Sequence, residues 1–124
     1  MRNLIWAILG GGIGAGARYA MTGAVHRFVS TSFPYGTLAV NVLGCLLMGF
    51  MMSLFSYRFV ASPALRVFLT VGILGGFTTY SSFSYETLEL MRDAEYALAF
   101  GNIALTLVLC LGATWIGLEL GKLL

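Results

Sequence analysis

Charged side chains are scarce in this 124-residue sequence. Lysine, arginine, aspartate and glutamate together make up 10% of the residues, whereas soluble proteins carry about 25%. Hydrophobic residues make up 59%, and the mean hydropathy is +0.90. This composition is not that of a water-soluble domain, and it predicts that the chain lies in a membrane.

The sequence also lacks the residue clusters on which most catalytic and metal sites depend. Its single histidine, His26, and its two cysteines, Cys45 and Cys110, show no spacing typical of a zinc or haem site. Both cysteines fall within apolar segments, where they act as small hydrophobic residues. No nucleophile, base and orienting group recur together, so we do not expect an enzyme. The net charge of +2, without a cluster of basic residues, gives no sign of nucleic-acid binding.

Only two prolines interrupt the chain, and both lie between long apolar segments. A bilayer crossing needs about 20 mostly apolar residues, and four segments are long enough. They cover residues 3–24, 36–57, 65–91 and 96–121. The connections between them are too short to contain a soluble domain. The sequence therefore predicts an all-α membrane protein with one domain, residues 1–124, and four transmembrane helices.

Basic residues are divided almost evenly between the two ends of the predicted helices. One end carries Arg2, Arg58, Arg66 and Lys122, and the other carries Arg18, Arg27 and Arg92. Basic residues in short connections normally determine the orientation of a membrane protein. A nearly even division of these residues therefore gives the insertion machinery little instruction. We expect insertion in both orientations and an antiparallel homodimer, which would enclose an interior that four helices lack. The alternative is a single topology fixed by other factors.

Residues 75–84 are the most polar part of the third apolar segment. Adjacent glycines weaken a helix, and serine and threonine hydroxyls compete for backbone hydrogen bonds. Irregular backbone at membrane depth persists only where it is buried in protein or lines a polar cavity. We therefore predict that Gly75 and Gly76 interrupt the third helix, that the break lies near Gly75–Thr79, and that this segment carries the function. Freed carbonyl oxygens, such as those of Gly75 and Thr78, suit a hard cation, and two antiparallel copies would supply four.

Polar residues also occur within the second and fourth apolar segments. For Asn41, an interhelical hydrogen bond is the ordinary explanation, and donation to an anion is the alternative. The fourth segment carries polar residues at a constant spacing of four, which places them on one slanting stripe of a helix. These residues are Asn102, Thr106, Cys110 and Thr114. A threonine alone often bonds to the preceding turn, but the alignment indicates a hydrogen-bonding track.

Tyr80 and Phe83 share one face of the helix after the predicted break, with Glu86 nearly in line. Core packing is the ordinary explanation for paired aromatic residues. Because an aromatic ring has a positive edge, ring edges beside hydroxyl and amide donors can also coordinate a small anion without a full charge in the pore. The ordinary explanation for Glu86, as for Glu89, is that it caps this track at the membrane interface. Arg18 either extends its charged group toward water or draws anions into a vestibule.

Three motifs of this sequence resemble those of the Fluc (CrcB) family of fluoride channels. They are GGFTTYSSFS at 75–84, PYGTLAVNVLG at 34–44 and Gly-Ala-Arg-Tyr at 16–19. The resemblance covers all four predicted helices. It implies a dual-topology dimer with two fluoride pores and passive fluoride export across the inner or plasma membrane of prokaryotic cells. It also implies a structural sodium ion at the dimer interface.

The resemblance implies roles for individual residues as well. Sodium would bind the backbone carbonyl oxygens of Gly75 and Thr78 from both subunits, and Arg18 would lie in the vestibule. The fluoride pore would contain Asn41, Thr79, Tyr80, Ser81, Ser82, Phe83, Glu86, Thr106, Cys110 and Thr114. The family usually has phenylalanine where this sequence has Tyr80. That extra hydroxyl would either donate to fluoride and slow its passage, or turn aside.

A proton-coupled small transporter is the alternative function. Short spans with balanced charge also describe the small multidrug exporters, but those need a carboxylate in the middle of the first span, and residues 3–24 contain none. Fluoride/proton antiport through Glu86 stays open. A structural subunit of a larger complex is a third class.

Overall fold

The computed structural model describes residues 2–124, and helices are the only regular elements in that range. Helix α1 spans Arg2–Phe28, and helix α2 spans Tyr35–Tyr57. The third stretch consists of helix α3 (Pro63–Arg66), a π-helix, π1 (Val67–Leu74), a short turn, α4 (Gly75–Phe77), and helix α5 (Tyr80–Arg92). Helix α6 spans Tyr96–Leu123. These helices cover the four apolar stretches of the sequence.

Among residues 2–124, three helical stretches are long and apolar enough to cross a membrane, namely Tyr35–Tyr57, Pro63–Arg92 and Tyr96–Leu123. Helix α1 has 27 residues and is about 40 Å long at 1.5 Å per residue. Its glycines and basic residues lower its hydropathy, so it is not among the three. The chain thus has the helices of a multi-pass membrane protein, and the crossing by α1 stays a prediction.

Helix α1 packs closely against π1 and α4, and it runs parallel to them. A Cβ atom added at Gly10 would meet the carbonyl oxygen of Phe68, and one added at Gly14 would meet that of Ile73. From Gly10 to Gly14, the contacted residue also advances along π1, from Phe68 to Ile73, so the two segments run in the same direction. Small residues at such positions let two helix backbones approach each other.

Helices α2 and α6 form a second parallel pair. An added Cβ at Gly49 would meet the carbonyl oxygen of Thr114, and one at Gly121 would meet the side chain of Ser53. Near the same end, the Arg58 guanidinium donates to the carbonyl oxygen of Lys122 at 3.4 Å. Two of the basic residues assigned to one end therefore lie together.

The third stretch breaks at Thr78 and Thr79, where the backbone becomes extended with ψ angles of 159° and 116°. The break falls within the predicted range, but the prediction that the two glycines interrupt the helix is wrong. Gly75 is helical, with φ −63° and ψ −38°, and Gly76 lies within α4. An added Cβ at Gly76 would meet the carbonyl oxygen of Gly11. This glycine therefore serves the close approach of α1.

The π-helix before the break was not anticipated from the sequence. Its last turn passes into α4 through the Gly75 amide, which donates to the carbonyl oxygens of Thr70 and Gly72. The wider turns of a π-helix occur mostly in short pieces, frequently at functional sites. Hydropathy carries no signal of this kind, because the apolar pattern of these residues fits an ordinary helix.

Candidate functional site

Asn41 joins helix α2 to the break in the third stretch. Its Nδ2 donates to the carbonyl oxygen of Thr79 at 3.0 Å, and its Oδ1 accepts from the amide of the same residue at 2.8 Å. One buried side chain thus satisfies both backbone groups of a residue that has left the helix. The structure therefore contains the interhelical hydrogen bond expected for a membrane amide. The second hydrogen on Nδ2 is a further donor.

The threonine side chains stabilise both ends of the break. Thr78 Oγ1 donates to the carbonyl oxygen of Leu74 at 3.1 Å and so closes the last turn before the break. Thr79 Oγ1 accepts from the Ser82 amide at 3.2 Å and caps the start of α5. The hydroxyls of Thr79 and Ser81 lie 3.4 Å apart. The hydroxyl run after Phe77 thus fixes the broken conformation.

A cavity of about 420 Å³, the aromatic cavity, lies beside the break. The Tyr80 and Phe83 rings contribute one wall, with their centroids 5.7 Å apart and their planes inclined by 40°. The remaining lining residues are Asn41, Cys45, Thr78, Thr79, Ile103, Thr106, Leu107, Cys110 and Leu111. Tyr80 is 81% exposed, so its ring lies on the open side of a single chain.

A second cavity of about 460 Å³, the basic cavity, lies on the other side of the break. Its lining residues are Arg18, Tyr19, Thr22, Gly23, His26, Arg27, Thr37, Thr79, Ser82 and Glu86. Arg18 Nε donates to the carbonyl oxygen of Gly76 at 3.1 Å, which holds this guanidinium against α4. Glu86 Oε1 is buried, with no hydrogen-bond partner among the described residues. Thr79 lines both cavities.

The polar stripe of α6 divides between the aromatic cavity and the helix contacts. Thr106 and Cys110 line the aromatic cavity. Asn102 is 1% exposed and donates to Thr87 Oγ1 at 2.9 Å. Thr114 donates to the carbonyl oxygen of Cys110 at 3.0 Å and lines neither cavity. The middle of the stripe therefore reaches the cavity, and its ends stabilise helices.

Several residues that line the two cavities were not among those predicted from the sequence. Arg18, Thr22 and His26 follow one another at intervals of four residues and so lie along one face of α1. Asn41 and Cys45 are related in the same way on α2. This spacing of four from Arg18 and Asn41 is the sequence signal that points to Thr22, His26 and Cys45. By contrast, the exposed Ser81 lines neither cavity.

The backbone at the break offers oxygen ligands to a cation. Within residues 2–124, no backbone amide outside the helices donates to the carbonyl oxygen of Gly75 or of Thr78. The carbonyl oxygen of Gly76, in contrast, accepts a hydrogen bond from Arg18. Gly75 is also exposed in a single chain. Carbonyl oxygens suit hard cations, so this chemistry fits sodium. The described residues contain no cluster of three His, Cys, Asp or Glu side chains that could hold a metal.

Comparison with known proteins adds a second line of evidence. The family described as "CrcB-like protein, Camphor Resistance (CrcB)" matches residues 5–118. A protein of Magnetococcus marinus named "Fluoride-specific ion channel FluC" is 44% identical over 122 residues, which cover 98% of this chain and 99% of that protein. A protein of the same name from Geobacter sp. strain M21 is 45% identical over 125 residues, which cover 100% of both chains. Another, from Methylocella silvestris, is 46% identical over 117 residues, which cover 93% of this chain and 89% of that protein.

Proposed function

The chain belongs to the CrcB-like protein family, and on that premise we propose that it is a fluoride-selective ion channel. Relatives named as fluoride channels match it along nearly the whole length, so the match includes the break and both cavities. The observation that carries the proposal is the position of Thr79, which borders the basic cavity and the aromatic cavity at once. A channel moves an ion and catalyses no chemical conversion.

An anion enters the basic cavity because Arg18 and Arg27 raise the local positive potential there. It then passes Thr79, where the second amide hydrogen of Asn41 is available to replace water. In the aromatic cavity the donors are the ring edges of Tyr80 and Phe83, together with neighbouring hydroxyls. Donors that carry no full charge let the ion shed water without holding it too tightly to leave.

The other residues of the proposed pore serve this same path. Ser82 lies in the basic cavity, and Thr106 and Cys110 lie in the aromatic cavity. Ser81 and Thr114 line neither cavity of a single chain, and we assign them to the part of the path completed by a partner. Glu86 borders the entrance beside Arg18 and limits how strongly an anion is held there.

We also propose that two antiparallel copies associate and form two such pores. Tyr80 is 81% exposed in one chain, and exposure to lipid would leave the proposed aromatic wall open. A second copy covers this side. The Gly75 and Thr78 carbonyl oxygens of both copies would hold a structural sodium ion, which supplies positive charge between the subunits.

Replacing sodium by N-methylglucamine is expected to lower the melting temperature of the dimer, because this large organic cation does not fit between the carbonyl oxygens. An unchanged melting temperature would contradict the ion site.

A second candidate function is fluoride/proton antiport, and one observation favours it. Glu86 Oε1 is buried without a partner among the described residues, next to the basic cavity, and ionisable side chains inside membrane proteins commonly lie on ion or proton pathways. Electroneutral exchange would follow the pH gradient across the membrane. Channel flux would follow the membrane potential instead.

The experiment that tests the proposal is fluoride efflux from liposomes, recorded with a fluoride electrode. Valinomycin with a potassium gradient sets the membrane potential, and a separate set of vesicles carries a pH gradient without valinomycin. We expect fluoride release that starts when valinomycin is added. Release that follows only the pH gradient would favour antiport, and no release under either condition would contradict both functions.

A further inference from the structure

Cys45 of α2 and Cys110 of α6 both line the aromatic cavity. The helices that carry them pack backbone against backbone. Cys45 lies one helical turn beyond Asn41 on α2, and Cys110 lies one helical turn beyond Thr106 on α6. Both of these polar residues line the same cavity. They are the two cysteines of the sequence, and neither forms a disulfide.

The packing of α2 against α6 fixes the distance between the two thiols. One turn beyond the cysteines, Gly49 packs against the carbonyl of Thr114. Gly117, two turns beyond Cys110, packs against the carbonyl of Leu46, the residue next to Cys45. Contacts between backbones leave little freedom for the helices to slide or separate. The thiols are thus held as a pair by the fold rather than by chance side-chain positions.

The surroundings of the pair select the kind of ligand that it can bind. The α6 part of the cavity lining includes Ile103, Leu107 and Leu111, which offer no oxygen or nitrogen ligand, while the polar side chains of Asn41 and Thr106 lie one helical turn from the cysteines. Thiolates are soft ligands and select soft metal ions. Both cysteines are half-buried, so a metal ion in the cavity can reach them.

We propose that Cys45 and Cys110 form a binding site for a soft, two-coordinate metal ion, with Hg²⁺ as the probe. When Hg²⁺ binds, each thiol releases one proton, two sulfur–mercury bonds form, and no electron is transferred. The bound ion joins α2 to α6 and occupies the aromatic cavity. The binding site itself does not depend on the proposed function, whereas an effect on fluoride flow does.

Metal binding is measured on the full-length protein in detergent, after reduction and removal of the reductant under argon. Native mass spectrometry with one equivalent of Hg²⁺ is followed by titration with 2-mercaptoethanol. We expect one Hg²⁺ per natural chain. Its removal should need at least about tenfold more 2-mercaptoethanol than removal from Cys45→Ser or Cys110→Ser, because two linked ligands act at a high effective concentration. Loss of Hg²⁺ at the same monothiol concentration in all three proteins would overturn the site.

A second measurement tests the pairing of the thiols without any metal. Dibromobimane becomes strongly fluorescent only after two thiols have replaced both of its bromine atoms. The natural chain is expected to become fluorescent as a single chain on a denaturing gel, and both single-cysteine variants are expected to stay dark. A fluorescent band only at the size of two chains would show that the paired thiols belong to different copies, which contradicts the proposal.

Fluoride efflux from liposomes then tests whether the bound ion obstructs the aromatic cavity. Each protein is compared with its own untreated rate, because either substitution alters the cavity wall. We expect Hg²⁺ to slow efflux through the natural chain, a dithiol chelator to restore it, and Cys45→Ser to respond far less. Bound Hg²⁺ with unchanged efflux would contradict this obstruction. Absent efflux from the untreated protein would instead contradict the proposed channel and leave the measured metal binding standing.

Discussion

At the scale of single residues, Asn41 connects packing to the proposed ion path. Its amide accepts from and donates to the backbone of Thr79, so it holds the residue that borders both cavities. Asn41 and Thr79 are 38 positions apart in the sequence. No local pattern pairs residues at such a distance. The sequence therefore indicated a polar residue of interest, and only the folded arrangement shows what it bonds.

Replacing Asn41 by aspartate is expected to impair both stability and fluoride efflux. A carboxylate still accepts from the Thr79 amide but no longer donates to its carbonyl oxygen, which costs about 1–3 kcal/mol when a buried group loses its partner. The new negative charge also repels an anion. Thermal unfolding in detergent and liposome efflux measure the two effects.

The matched control for this change is Asn41→Ala, which loses the hydrogen bonds but adds no charge. We expect lower efflux from Asn41→Asp than from Asn41→Ala. If both variants unfold and conduct like the natural chain, neither the bond to Thr79 nor the position of Asn41 matters as described.

Replacing Tyr80 by phenylalanine is expected to speed fluoride efflux with little change in stability. The Tyr80 ring is largely exposed in one chain, and no hydrogen bond of its hydroxyl is present among the described residues. A hydroxyl that donates to fluoride with about 1 kcal/mol would slow its release about fivefold. Tyr85→Phe is the control, because that exposed ring lines neither cavity. Equal rates for both variants and the natural chain would show that the Tyr80 hydroxyl turns away from the ion.

At the scale of helices, glycines decide which segments lie in contact. Helical stretches and a break near Gly75–Thr79 could be predicted from hydropathy and from the run of hydroxyl residues. The cause of the break could not, because Gly76 looks like a helix breaker in sequence and is a packing residue in the fold. The π-helix and the pairing of α1 with π1 also escape prediction, since both depend on contacts between distant segments.

Gly14→Ala is expected to destabilise the protein, and Gly12→Ala is not. An added Cβ at Gly14 would meet the Ile73 carbonyl of π1, whereas nothing lies within 4 Å of one at Gly12. Overpacking of this kind typically costs about 1–3 kcal/mol, while alanine in an open helical position gains up to about 1 kcal/mol over glycine. Thermal unfolding of the two variants in the same detergent measures the difference. Equal melting temperatures would show that α1 does not pack against π1 this closely.

At the scale of the whole molecule, the proposed antiparallel dimer depends on insertion in both orientations. Val60 is 99% exposed and follows α2, and Ser32 lies in the connection at the other end. A lysine added at either position biases the orientation, because the charge division is nearly even. We expect Val60→Lys or Ser32→Lys alone to conduct poorly, and expression of both together to restore efflux.

The result that would contradict dual insertion is full efflux from each lysine variant expressed alone. A single orientation would then suffice for function. Low efflux from the pair together, with both proteins present in the membrane, would contradict it as well, since two opposed populations are then available and do not assemble into a pore.

A fluoride-selective channel conducts fluoride in preference to other anions. The most direct measurement records fluoride and chloride release from the same protein-containing liposomes, with ion-selective electrodes, after valinomycin sets the potential. We predict rapid fluoride release, with chloride release no greater than from protein-free vesicles. Equal release of the two anions, or no fluoride release above the protein-free level, would show that the chain is not a fluoride-selective channel.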